Sequence, residues 1–206
     1  ISRSPNILVV HPSLPVKSVK DLIALAKAKP GELNYGAGAI GASTHLASEL
    51  FNLMAGVRIV HIRYKSTGPA LIDLVGGQLQ LMFSTTGGVM PHIKSGRLRA
   101  LAVSTLQPSA LVPDLPTIAD AGELPGYESA ATAGVFAPAG TSGRIINHAH
   151  REILRVLDRP EVKERFFNQG VEIIGASPKE TAAFVKSDMA KTARLIKEAG
   201  ITLSGK

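Results

Sequence analysis

Short apolar runs alternate with amphipathic stretches through the first half of the chain. NILVV at 6–10 holds four apolar residues in a row, the pattern of a strand covered on both faces. Residues 18–28 follow helical spacing, with Ser18 placed to cap and Asp21 three positions on as its box partner. Pro30-Gly31 ends that helix. A short strand at 33–36 runs into a glycine-rich loop. A helix at 43–54 follows, with Leu46, Leu50, Leu53 and Met54 on one face. The pattern then predicts a strand at 59–64, a helix at 69–75 stopped by Gly76-Gly77, a strand at 79–83, a helical turn at 89–94 and a strand at 98–104. Strand and helix in alternation imply right-handed crossovers and a mostly parallel sheet.

The character changes at 105–133, where Pro108, Pro113, Pro116 and Pro125 mark a connecting segment with one short helix near 117–121. Beyond it the pattern predicts two strands, 134–137 and 171–174, and three helices, 141–157, 160–169 and 178–199. Two strands make a poor core for three helices. The expected division is therefore a complete α/β domain at 1–104, a hinge or connecting segment at 105–133, and at 134–206 part of a domain whose other strands lie elsewhere, most simply upstream of Ile1. If the polypeptide begins at Ile1, the helix faces with Ile145, Ile146, Leu154, Phe166, Phe167, Phe184 and Leu195 lack much of their cover, which favours association, for example as a dimer.

Composition narrows the classes. Apolar residues are 45% of the 206, enough for a sizeable core, and no apolar run is long enough to span a membrane. The chain opens at Ile1 with no basic, apolar, cleavable leader, so it reads as a mature form or a fragment. The absence of cysteine excludes disulfides, thiolate metal sites and cysteine nucleophiles. The net charge of +7 raises nucleic acid as a partner, but the basic residues are dispersed and aromatics are only 4%, with no tryptophan. The positive sign fits a basic surface or an anionic ligand.

The loop GAGAIGASTH, from Gly36 to His45, spells G-x-G-x-x-G at Gly36, Gly38 and Gly41. A dinucleotide loop also needs an acidic residue roughly 20 positions on to hold the ribose. That region reads IVHIR, with no acid, so an NAD(P)-binding oxidoreductase fragment is only the alternative reading. The loop's physics survives without a cofactor. Small residues admit a ligand close to the backbone, and the helix that starts near Ser43 aims its N–H groups at the same place. Ser43 and Thr44 add hydroxyls, while a bland reading makes Ser43 a plain helix cap. No second histidine lies three or four residues from His45, and neither catalytic nor metal residues are assigned. Two further strands run into loops of the same chemistry, Tyr64-Lys65-Ser66-Thr67-Gly68 and Ser84-Thr85-Thr86-Gly87-Gly88. In open α/β sheets ligands bind beyond the carboxyl ends of the strands, so the three loops together predict a polar small-molecule cleft.

The ordered series SVKDLIALAKAKPGELNYGAGAIGASTHLASELF, YKSTGPALIDLVGGQLQLMF, PHIKSGRLRALAVST and VFAPAGTS resembles the Bug receptors, the periplasmic solute-binding proteins of tripartite tricarboxylate transporters. The resemblance covers nearly the whole chain. It implies a type II periplasmic-binding-protein fold, two α/β domains closing on a small carboxylate, with the first domain incomplete here. It implies no cofactor, no catalysis, a periplasmic location and membrane transporter subunits as partners. By position it assigns ligand contacts to Gly38, Ala39, Gly41, Ser43, Thr44 and His45, to Tyr64, Lys65 and Gly68, and to Ser84 and Thr85. Many relatives carry Asp at the place of Ser84. The departure leans away from amino acids and toward di-, tri- or aromatic carboxylates. The effector domain of a transcription regulator shares the general fold class and stands as a further alternative.

Overall fold

The computed structural model describes residues 2–202. Its elements in chain order are β1 (Ser2–Val10), α1 (Val19–Ala28), β2 (Asn34–Ala37), α2 (Ser43–Ala55), β3 (Val60–Arg63), α3 (Thr67–Val75), β4 (Leu81–Thr85), α4 (Thr86–Lys94), β5 (Arg99–Val103), α5 (Ile118–Ala121), β6 (Ala130–Ala133), α6 (Gly143–Leu157), α7 (Pro160–Asn168), β7 (Glu172–Ile173) and α8 (Pro178–Glu198). Local chemistry sets several of the boundaries. Ser18 Oγ accepts the Asp21 N–H at 3.1 Å, and the Asp21 carboxylate accepts from Lys17 N–H at 2.9 Å, one residue outside a standard capping box. At α8 the full box is present: Ser177 and Glu180 satisfy each other's backbone N–H groups.

β1 is the spine of the molecule. Its second half lies between β4 and β5, antiparallel to both, with Asn6 opposite Thr85 and Val10 opposite Leu81. β2 lies between β3 and β4, parallel to both, which gives the order β3-β2-β4-β1-β5. Four of these five strands therefore point the same way, and β1 alone runs against them. The strand expected at 6–10 extends back to Ser2 because its first half pairs with β6 on one side and β7 on the other. Arg3 Nη2 lies 2.8 Å from the Glu172 carboxylate and fastens β1 to β7.

Period-two alternation on β1 divides the core. Leu8 and Val10 face α1, α2 and α5, with Tyr35, Phe51, Phe83 and Tyr127. Ile7 and Val9 face α3 and α4, with Leu74, Met82, Val89 and Val103. Both faces of the five-stranded part are covered, as strands this apolar require.

The β6-β1-β7 part is different. A strand was expected at 134–137, but the ladder with Ser2–Pro5 recruits 130–133 instead, inside the segment expected to be a connection. Val135 and Phe136 are 65% and 72% exposed. Among the described residues no strand lies beside that apolar run, and pairing follows the available ladder rather than hydrophobicity. Only Leu157 is buried on α6 and only Leu195 on α8. Ile145 is 56% exposed and Phe167 54%. A preparation of these 206 residues is expected to show a light-scattering mass above its own 21.6 kDa and to bind an apolar dye. A monodisperse monomer that binds no dye would show that these faces are stable in water.

Candidate ligand-binding site

The carboxyl ends of β2, β3 and β4 share one edge because the three strands are parallel. β1 runs against β4, so its first residues leave the main sheet at that same edge and enter the second one. The three loops therefore face the β6-β1-β7 layer. Gly38 of the first loop packs on Thr67 of the second: a Cβ at Gly38 would lie 3.4 Å from Thr67 Cγ2. The third loop touches the other layer, where Gly87 meets Gln169 and Gly170.

The helices that follow these strands begin without side-chain caps. Ala42, Ser66 and Thr85 occupy the N-cap positions of α2, α3 and α4, and none makes a side-chain cap bond. The same holds for α6 and α7, whereas Ser18, Thr117 and Ser177 cap α1, α5 and α8. Ser43 is thus the first residue of α2 rather than its cap. Uncapped N-termini leave N–H groups and the positive end of the helix dipole available to an anion.

Within the first loop, Gly38 is buried and its N–H points at Thr44 Oγ1, 3.4 Å away. Gly41 has φ +83°, a left-handed turn that favours glycine, and its N–H donates to His45 Nδ1 at 3.3 Å. Ala39 and Gly41 are exposed, Ser43 is half-buried, and Thr44 and His45 are buried. The second loop presents Lys65 and Gly68 to solvent. Tyr64 is half-buried, and its hydroxyl donates to the Asp73 carboxylate at 2.6 Å, so it is turned into α3. Burial and that bond raise its pKa to about 12. Ser84 is buried and Thr85 half-buried; both hydroxyls lie against Gly88 in the first turn of α4. A groove of about 1070 Å³ between α2, α8 and β6 reaches Gly41, Ser43, Arg3 and Glu128 but none of the expected residues of the other two loops.

Under the first loop lies a stack that the sequence reading did not assemble. His61 lies flat on Tyr35, with ring centroids 4.8 Å apart and planes 6° apart. His45 leans on His61 at 4.6 Å. The Tyr35 hydroxyl donates to Glu49. Burial first, then His45 and Arg63, lower the His61 pKa from 6.5 to about 4. The unfolded chain therefore takes up this proton first. Stability is fully present above about pH 6.5, falls as pH drops, and levels off below about pH 4. Because the ring is only half-buried, screening reduces the loss to on the order of 1–2 kcal/mol. Urea denaturation at stepped pH should show this slope in the native protein and a shallower one in His61→Gln. Equal slopes would mean that the ring is solvated.

Over residues 1–201 the chain matches the model of the tripartite tricarboxylate transporter family receptor, TctC. It belongs to that family. BugT of Bordetella pertussis is 37% identical over 199 residues, which are 97% of this chain and 61% of BugT. A solved R. palustris protein with adipate is similar at TM-score 0.87 and 38% identity, over 98% of this chain and 67% of that one. The solved periplasmic binding protein BugD is similar at TM-score 0.83 and 30% identity, over 97% of this chain and 67% of BugD. MatC from Rhodopseudomonas palustris, solved with bound malate, is similar at TM-score 0.76 and 26% identity, over 96% of this chain and 67% of MatC. The chain thus spans 61% of the length of BugT and 67% of these solved chains.

The TctC family is one of transport receptors, not of oxidoreductases, and the chain shares the mixed α/β fold of its solved periplasmic binding proteins. The G-x-G-x-x-G spelling in this TctC chain is a glycine loop braced by Thr44 and His45. One further polar residue at the loop edge escaped the sequence reading. Asn6 is fully buried opposite Thr85, and among the described residues neither its Oδ1 nor its Nδ2 has a hydrogen-bond partner. A polar residue at the head of an otherwise apolar strand was the signal that could have found it.

Proposed function

We propose that this chain is the ligand-binding part of a periplasmic receptor for a small carboxylate, which it delivers to membrane transporter subunits. The observation that carries this reading is the convergence of three glycine- and hydroxyl-rich loops, each followed by an uncapped helix, on the edge that faces the second layer. Such an edge holds an anion through backbone N–H groups and hydroxyls, with Lys65 as the only charged side chain among the assigned residues. The contacts assigned are Gly38, Ala39, Gly41, Ser43 and Thr44, with Lys65 and Gly68 from the second loop and Thr85 from the third. His45, Tyr64 and Ser84 support the loops from beneath. Adipate and malate in the similar proteins are dicarboxylates, and the preferred class here is a dicarboxylate. Closure of the two layers over the ligand couples occupancy to docking on the transporter.

Isothermal titration with a panel of di-, tri- and aromatic carboxylates tests the reading. Binding of none of them would sink it. Thr44 offers the sharpest single substitution. Its hydroxyl accepts from Gly38 N–H, which leaves its own proton to donate to the anion. Thr44→Ala is expected to cost about 1.5–3 kcal/mol of binding, roughly a tenfold to hundredfold loss of affinity. An unchanged dissociation constant would move the anion off this loop.

A further inference from the structure

The glycine loop is tied to the rest of the fold by one titratable group. Gly41 N–H donates to His45 Nδ1, which requires that nitrogen to carry a lone pair and places the ring proton on Nε2. His45 sits on α2 and is buried. Three elements bring titratable or charged groups to it. From α2 itself comes Glu49, one turn on; from β3 come His61, at a ring distance of 4.6 Å, and Arg63; from β2 comes Tyr35, stacked on His61 and bonded to Glu49. The loop bond is a single contact at the long end of the hydrogen-bond range. Among the described residues no atom packs where a Cβ on Gly41 would sit, and besides the His45 bond the turn is closed by the Ala42 N–H, which donates to the Ala39 carbonyl at 2.9 Å.

We propose that the neutral His45 ring latches the glycine loop through Gly41, and that protonation of the ring releases it. A second ring proton places an N–H at Nδ1, opposite the Gly41 N–H. Two donors then face each other, and the turn must move. His61 cannot share the charge, because two imidazoles in contact resist becoming cations together. Glu49 lies near His45 and favours a cation there, so His45 takes the first proton of the pair. Burial, and to a lesser degree Arg63, oppose that proton and keep the latch shut near neutrality. The proposal rests on the reading of this loop as the carboxylate site. Under that reading acidification loosens the pre-formed loop and weakens ligand binding. Ligand release is then linked to pH through one residue beneath the site rather than through the ligand's own contacts.

The test uses the whole chain with ¹⁵N-labelled glycine and ¹³C-labelled histidine rings, titrated without ligand from about pH 7.5 to about pH 5. The Gly41 amide signal is expected to shift with the same midpoint as the His45 ring. His45→Asn places a carbonyl oxygen that accepts but does not titrate near the position of Nδ1, and should abolish the shift. His45→Phe, which has no acceptor, should show the released Gly41 signal at every pH. A Gly41 signal that stays fixed while His45 titrates overturns the latch, as does a His45 ring that stays neutral to the acid limit. Should a variant fail to fold, the titration of the native chain still decides. Adipate affinity measured at both ends of the range should fall roughly tenfold in acid for the native chain relative to His45→Asn, a comparison that cancels protonation of the ligand itself. Absence of adipate binding at both ends would count against adipate as the receptor's ligand, while the ligand-free Gly41 signal would still decide the latch.

Discussion

Tyr127→Ala is expected to lower stability by about 3–5 kcal/mol, enough to bring the thermal midpoint down by on the order of 10 °C. Tyr127 is fully buried in the segment that joins β5 to β6. Its ring stacks on Phe83 at 6.3 Å and meets Phe51 edge-on at 6.4 Å, while Phe51 and Phe83 touch at 5.9 Å. Its hydroxyl donates to the Ala47 carbonyl at 2.8 Å. One side chain thus pins a proline-rich connection onto α2 and β4. Truncation opens a ring-sized cavity where three aromatics meet, and rigid neighbours on a strand and a helix cannot collapse into it. Tyr127→Phe keeps the ring and loses only the hydrogen bond, at a cost of about 1 kcal/mol. Equilibrium unfolding in urea separates the two. Equal losses for Ala and Phe would place the energy in the hydroxyl rather than in the packing.

Gly170→Ala is expected to cost about 2–4 kcal/mol or to force the two layers apart. Gly170 follows α7 with φ +71°, and a Cβ there would lie 2.5 Å from Gly87 N and 2.9 Å from Thr86 Cβ. Neither neighbour can yield easily. Gly87 presents backbone in the first turn of α4, and the Thr86 hydroxyl is held by the Pro5 carbonyl at 3.1 Å. The contact is reciprocal, since a Cβ on Gly87 would lie 2.4 Å from the Gln169 carbonyl oxygen. Gly87→Ala therefore isolates the steric part, about 1–3 kcal/mol, from the strain of the left-handed turn. Denaturation together with small-angle scattering reads both outcomes. Stability and radius unchanged in both variants would show that the layers do not touch at this point in solution.

Much of the main sheet was legible in the chain. The apolar runs at β1, β4 and β5 and the helical spacing of α1, α2 and α8 are local patterns, and local patterns survive folding when the core they imply is formed. The glycine loop was legible for the same reason: glycines and small residues between a strand and a helix form a local pattern, although the pattern alone left its use open. Long-range pairing was not legible. Nothing in SRSP marks it as a strand, and nothing in AATA marks it as that strand's partner. Both are strands because β1 continues past the main sheet and the ladder needs neighbours. The fate of the assigned hydroxyls was equally beyond local reading. Tyr64 is drawn to Asp73, and Ser84 lies under α4, because packing chooses the face. The aromatic stack was hidden as well, since Tyr35, His45 and His61 come from three elements and meet only when β2 and β3 pair in parallel beneath α2. The order of residues was enough to mark the strands and helices of the main sheet and the loop that carries the glycines, because backbone preference and hydrophobic period act over a few residues. Which strand ends share an edge, which hydroxyls remain open and which histidine touches the loop were settled in three dimensions, because those depend on contacts between residues far apart in the chain.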